Sequence, residues 1–375
     1  MDKKDRAAVW TTLNRCEWPV PIPKDANLNL IHIEMLNLGL EYAWLDVLCL
    51  KQVGGQREDM RTEEWKLDVP TIGAVYLGNR VVCYLSGLGQ PLTLKEGDLE
   101  SDRCWFRRAW TLQEIGVDRV IARDTQVLDG LLHAECEDGK YETELLTRFR
   151  KQLESMHGTV LWVHEVLLEM RKWVLTNPVD KIAGLAFLMG SWQIPAYHES
   201  ASLEEAWTAL MNSLGAYYQA ELFFLCPELG DGGPKWRPSW DQVMMKPLLA
   251  YHDNSYGGLQ SVDRDETGDQ DTCYARCIEG LVQGLAVVVG GDRHGEFIVE
   301  WNDEIARFKI TAAHTYPIPE DTYTLIYGND DLTNSHVIGR SLPGGKFEKV
   351  SVLEMSKDES NRLRRITEKR RCILI

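Results

Sequence analysis

The chain has 375 residues, 44% of them hydrophobic and 26% charged, a globular balance with material for two or three domains. A net charge of −16 excludes a general nucleic-acid role, because an acidic surface repels phosphate backbones. The longest apolar run, residues 182–189, is far too short to span a bilayer.

No apolar stretch follows the charges of the opening MDKKDRAAVW, so no secretory signal is expected and the chain reads as cytoplasmic. Nine Cys are scattered, and Cys49, Cys83 and Cys226 sit inside apolar runs. They read as buried thiols in a reducing compartment. Cys273 and Cys277 form a pair with no second pair at zinc spacing, so no metal is expected. Thirteen Trp predict large aromatic anchors in the cores.

In chain order, residues 1–24 read as irregular, and Pro19, Pro21 and Pro23 bar a helix there. Asp25 is placed to cap a helix over 28–38, with Leu28, Ile31, Met35 and Leu38 on one face and Gly39 to end it. Residues 42–50, YAWLDVLCL, are apolar on both alternating faces, the pattern of a buried parallel strand. A polar loop, KQVGGQRED, leads into a helical pattern over 60–77. There Trp65, Val69, Ile72 and Tyr76 form one stripe, and Pro70 predicts a kink or a restart. Residues 80–85 read as a second buried strand, 105–115 as a helix and 119–122 as a third strand. That order is the grammar of a doubly wound α/β sheet.

Residues 141–173 predict two helices broken near Gly158, and Asn177-Pro178 marks a turn before a short helix over 180–188. Ser202 with Glu205 has the form of a capping box for a helix running towards Tyr218. Residues 222–225 read as a strand. After about Tyr251 the chain turns polar, then alternates in short segments such as EFIVEW, RFKIT and TYTLIY, which predict a small antiparallel β domain. The expected segments are 1–24 irregular, 25–135 α/β, 136–250 helical and 251–375 β-rich.

Two motifs carry a family likeness. The first is Tyr42, Trp44, Leu45, Asp46, Cys49, Leu50 and Gln52; the second is Arg108, Ala109, Trp110, Thr111, Leu112, Gln113 and Glu114. In this order and spacing they resemble the fungal heterokaryon-incompatibility (HET) domain family. Asn177-Pro178-Val179-Asp180-Lys181-Ile182 and Trp236-Arg237-Pro238-Ser239-Trp240 resemble segments that follow such domains. The family's opening strand motif is absent from residues 1–41, and position 51 is Lys where Asp is common in the family. The resemblance implies a parallel sheet with helices, similar to Toll/interleukin-1 receptor (TIR) and flavodoxin-like folds, here lacking its first strand. It also implies a role in self/non-self recognition and linked cell death, with protein partners and self-association.

Some TIR domains cleave NAD, with a Trp four residues before a catalytic Glu. Trp110 and Glu114 have that spacing, which puts both on one helical face. The resemblance therefore implies a second reading, an NAD hydrolase with NAD as substrate and no other cofactor. In it Glu114 is the catalytic carboxylate, and Asp46, Arg107, Trp110 and Thr111 bind substrate. Nicotinamide is already a cationic leaving group, so one carboxylate near the ribose is sufficient in principle to stabilise an oxocarbenium-like transition state. Against this stand structural roles for the same residues. Glu114 can pair with Arg107 or Arg108, Asp46 can accept backbone N–H groups, and Thr111 can bond back to a carbonyl.

The chain ends Cys372-Ile373-Leu374-Ile375 after a basic cluster including Arg370 and Arg371. A C-a-a-X ending makes Cys372 a lipidation candidate, and only that would bring a membrane into the account. Cys-Ile-Leu-Ile is equally a strand-forming sequence.

Overall fold

The structure is a computed structural model that describes residues 6–26, 28–84, 88, 94–101, 104–107, 110–114, 119–121, 144–155, 163–172, 177–191, 195–249, 261–264, 270–285, 293–328 and 334–375. It is a mixed α/β protein in two compact units, Met1–Val160 with Lys172–Ser202, and Leu161–Arg171 with Leu203–Ile375. The helices expected as one region over 136–250 are divided between them.

In the first unit the segment expected to be irregular forms an antiparallel ribbon. β1 (Arg6–Val9) pairs with β2 (Val20–Pro23), and Val20 and Ile22 are buried with Trp18. Pro21 and Pro23 are tolerated because a two-stranded ribbon is all edge. α1 (Leu28–Asn37) follows, as its spacing predicts. Gly39 stops it at φ +65°, and Leu40 N–H returns to the Met35 carbonyl at 2.8 Å.

Residues 42–50 are not a strand. Leu45 is extended, α2 (Asp46–Cys49) is a single helical turn, and Tyr42 is 88% exposed. The reason is local: the Asp46 carboxylate accepts Val47 N–H at 2.7 Å, and the Trp18 indole donates to the Val47 carbonyl at 3.1 Å. Those backbone groups are satisfied without a sheet neighbour, and a short apolar run fits either period. The parallel sheet expected around residues 42–50 is therefore not formed about them. Its flanking strands do pair in parallel, β3 (Val81–Cys83) with β4 (Arg119–Ile121). Cys83 is buried as expected, whereas Cys49 is exposed.

α3 (Arg61–Leu77) runs through Pro70. A proline cannot bond the carbonyl four residues back, and here Tyr197 N–H donates to that carbonyl, Lys66 O, at 3.1 Å. The stripe expected on α3 faces inward, with Val69 and Ile72 buried. α4 (Thr111–Glu114) and α5 (Glu144–Ser155) follow, then α6 (Val163–Arg171) of the second unit and α7 (Val179–Leu188) of the first. α3 and α7 approach closely at Gly73, where an added Cβ would lie 2.3 Å from Phe187 Cγ.

The second unit continues with α8 (Leu203–Ser213), α9 (Ala216–Leu225) and α10 (Trp240–Met245). Residues 222–225, expected as a strand, are the last turn of α9, and all four are buried. A segment buried all round has no periodicity by which to tell helix from strand. A full capping box, Ser239 with Gln242, starts α10.

The expected antiparallel domain follows as β5 (Val262–Arg264), β6 (Asp271–Gln283), β7 (Arg293–Trp301), β8 (Glu304–Ala312), β9 (Asp321–Ile326), β10 (Ser335–Leu342) and β11 (Lys346–Glu354). The ladders β6–β7–β8–β11–β10–β9–β6 close on themselves. Phe297, Phe308, Leu325, Ile338 and Leu353 fill the ring, and Leu363 of α11 (Lys357–Arg364) packs into the same core.

The last strand, β12 (Glu368–Leu374), pairs antiparallel with the first half of β6, Cys372 opposite Cys273. Cys372 is 7% exposed. Lipidation at Cys372 requires an accessible, flexible tail, whereas here the strand is paired and that side chain is buried. Among the described residues no helix is long and apolar enough to cross a membrane.

Candidate functional site

The second motif arrives through a 3-10 turn, Trp105–Arg107, followed by α4. Two contacts fix it. The Trp105 indole donates to Glu114 Oε2 at 2.7 Å, and the buried Thr111 hydroxyl donates back to the Trp105 carbonyl. Both bonds fold the motif onto itself. Glu114 thus has one carboxylate oxygen committed to an indole N–H, and Thr111 has the structural bond that a buried hydroxyl requires.

Trp110 lies beside the Asp180 carboxylate on α7 and helps to favour its charged form. Tyr197 Oη donates to Asp180 Oδ1 at 2.8 Å, and Asn177 Nδ2 donates to Tyr197 Oη at 3.2 Å. Asn177 Oδ1 also accepts Val179 N–H at 3.2 Å, so the asparagine braces both the turn before α7 and the tyrosine. Burial pushes the Asp180 pKa up, while the Tyr197 and Trp110 hydrogen bonds pull it down. Burial likewise raises the Tyr197 hydroxyl.

From Tyr197 the contacts reach the end of the first motif. Its ring lies 6.5 Å from that of Trp65, whose indole donates to the Lys51 carbonyl at 2.7 Å. Arg61 stacks over Trp65 at 5.0 Å and lies 3.7 Å from Glu199. Lys51, Trp110 and the 177–180 turn are thereby linked through Trp65 and Tyr197 into one polar and aromatic knot, with Asp180 at its centre. Sequence reasoning named Trp110 but missed Asp180 and Tyr197. Asp180 stood in the quoted Asn-Pro-Val-Asp-Lys-Ile segment, whereas Tyr197 carried no signal.

Of the expected site residues, Trp110, Thr111 and Glu114 share α4 and its approach. Trp110 and Glu114 nonetheless address different partners. Asp46 is turned onto its own helix, where it accepts Val47 N–H. The Arg107 side chain lies outside the described residues. Among the described residues no group of three or more His, Cys, Asp and Glu is placed to hold a metal ion.

Several buried titratable groups of the second unit are held in structural bonds. Lys349 is fully buried and donates to the carbonyls of Phe223 at 2.7 Å and Cys226 at 2.5 Å. It caps the C-terminal end of α9, where a cation is favoured, and burial still pushes its pKa down to about 8. His336, also fully buried, has its pKa pushed down to about 3 by burial and accepts Gly328 N–H at 3.0 Å. Arg237 and Asp271 form a buried ion pair at 3.0 Å, and the Trp236 indole donates to the same carboxylate at 3.2 Å.

Comparison of the chain with family models, with curated proteins and with solved structures returns no match.

Proposed function

We propose that the chain is a HET-like protein acting as an interaction module in fungal self/non-self recognition and linked cell-death signalling. The observation that supports this reading is the knot at Asp180. The second motif and the 177–182 segment meet there through Trp110 and Tyr197, and Trp65 beside Tyr197 bonds the Lys51 carbonyl within the span of the first motif. In the proposal, the TIR-like character lies in α4 and the β3–β4 parallel pair rather than in residues 42–50.

The alternative is a TIR-like NAD hydrolase with Glu114 as its carboxylate. What favours it is the Trp110–Glu114 spacing. What disfavours it is that the Trp105 indole engages Glu114 and Asp180 engages Trp110. The two readings separate in cells. The full chain, expressed from an inducible promoter in a filamentous fungus, is expected to arrest growth equally as wild type and as Glu114→Gln, with cellular NAD unchanged. Arrest lost in Glu114→Gln, together with a fall of NAD under the wild type, would establish the enzyme instead. Failure of the wild type to arrest growth would overturn the recognition reading.

A further inference from the structure

The closed β domain bears two exposed surfaces of opposite charge. On β6 and β12 the register sets Arg371 opposite Tyr274 and Lys369 opposite Arg276, so these four side chains share one face. Tyr274 is 59% exposed, with Lys369 Nζ 5.8 Å from its ring centre. Like charges directly opposite one another on neighbouring strands repel. On this face neither Lys369 nor Arg371 has an ion-pair partner among the described residues. Arg276 donates to the Thr367 carbonyl at 3.2 Å, and Arg370 pairs on the other face with Glu368 at 3.6 Å. The nearest carboxylate in register is Asp263, opposite Thr272 and bonded by the Ser261 hydroxyl. A cationic patch with an aromatic centre thus persists on a chain of net charge −16.

The β7–β8 hairpin presents the complement. Its turn is two residues, Asn302 and Asp303, at φ 53° and 61°, the left-handed pair of a type I′ hairpin. Around that tip Glu300, Asp303 and Glu304 are exposed, and none has an ion-pair partner among the described residues. Trp301 and Ile305 beside them are 38% and 68% exposed. The tip therefore offers three carboxylates with an aromatic and an aliphatic anchor, the mixture expected of a contact rather than of a solvated turn.

We propose that the acidic hairpin tip of one copy docks on the cationic Tyr274 face of a second copy, giving a head-to-tail association of the β domain. The inference rests on the association reading above and names its mode. Two different surfaces meet, so the contact is heterologous, and repeated it builds an open chain or a ring rather than a two-fold dimer. Charge complementarity selects the second copy as occupant. The same molecule supplies both the unpaired cations and the unpaired carboxylates, and docking relieves the Lys369–Arg276 repulsion.

The test uses the full chain and sedimentation velocity over a concentration series. At low salt, where charges still act over more than about 10 Å, the wild type is expected to associate, and molar salt should disperse it. The double variant Lys369→Glu/Arg371→Glu loses the face and keeps the tip. The double variant Glu300→Lys/Glu304→Lys loses the tip and keeps the face. Each alone is expected to associate about tenfold or more weakly than the wild type. Mixed, they should associate again, because the acidic tip of the first variant meets the cationic face of the second and the reversed tip of the second meets the reversed face of the first. All four positions are exposed, and unchanged melting temperatures confirm folding.

A wild type that stays monomeric overturns the contact, whatever the growth assay shows. A wild type whose association survives both reversals overturns this mode and leaves the interaction reading standing. A mixture that stays monomeric also overturns it. So does a face that binds vesicles of anionic lipid, with binding lost in Lys369→Glu/Arg371→Glu, while the wild type remains monomeric in solution.

Discussion

Lys349→Met gives a prediction whose sign and window follow from the structure. The ammonium is fully buried and faces two carbonyls rather than a carboxylate. Burial moves its pKa from 10.5 to about 8, which at about 1.4 kcal/mol per pH unit is about 3 kcal/mol of disfavoured charge. A lysine with a depressed folded pKa is protonated in both states below pH 8, so the fold bears the full cost there. Between about 8 and 10.5 the unfolded chain holds the proton and the folded one releases it, so stability rises with pH. Between pH 8 and 9.5 that gain is about 1.5 kcal/mol.

Methionine removes the charge and the gain with it. It also leaves the Phe223 and Cys226 carbonyls without a donor, at about 1–3 kcal/mol each. Set against about 3 kcal/mol of relief, the expected net loss at pH 7 is about 1 kcal/mol. Other groups titrate in the same range. Burial raises Glu221 to about 8, costing stability as pH rises towards that value, and raises Cys226 to about 11, costing stability above about 9. Glu221 is common to both proteins and cancels in the difference, and measurement below pH 9.5 limits the Cys226 contribution. Urea unfolding at pH 7, 8 and 9.5 should show the wild type gaining on Lys349→Met by about 1.5 kcal/mol over the last interval. Parallel pH profiles would refute the reasoning, because the ammonium would then titrate as in water.

Further predictions rest on single contacts. Tyr197→Phe removes a donor to Asp180 and should cost about 1–2 kcal/mol by urea unfolding; no loss would mean that the hydroxyl does not hold the knot. Asp271→Ala leaves the Arg237 guanidinium buried without its carboxylate, and about 3 kcal/mol or more should be lost. Gly73→Ala drives a methyl into Phe187, and a loss of about 1–3 kcal/mol is expected; a neutral result would show that α3 and α7 are not in contact there.

The sequence was most legible where its period was unambiguous. The alternation of EFIVEW, RFKIT and TYTLIY placed β7, β8 and β9, and the stripe through Val69 and Ile72 placed α3. It failed where an apolar run had no polar side to orient it. Residues 42–50 and 222–225 read equally as strand or helix, and both turned on tertiary partners, the Trp18 indole in one case and burial on every side of α9 in the other. Pro70 illustrates the same limit. The proline was visible, whereas the Tyr197 N–H that takes up the Lys66 carbonyl lies far along the chain. The knot was half legible: Trp110 stood in a motif, yet nothing local announced that its indole would meet Asp180. At the C-terminus the basic cluster and the strand-forming tail were both readable, and the pairing with β6 decided between them.

The central claim is that the chain works by contact, with Glu114 held as the partner of the Trp105 indole rather than acting as a catalytic carboxylate. Nicotinamide release from NAD by the purified full chain at high concentration, compared between wild type and Glu114→Gln, tests it most directly. The account predicts the same background from both, and a lower melting temperature for Glu114→Gln, whose amide replaces the charged acceptor of the indole N–H. Turnover by the wild type that Glu114→Gln abolishes without a change in melting temperature would contradict it.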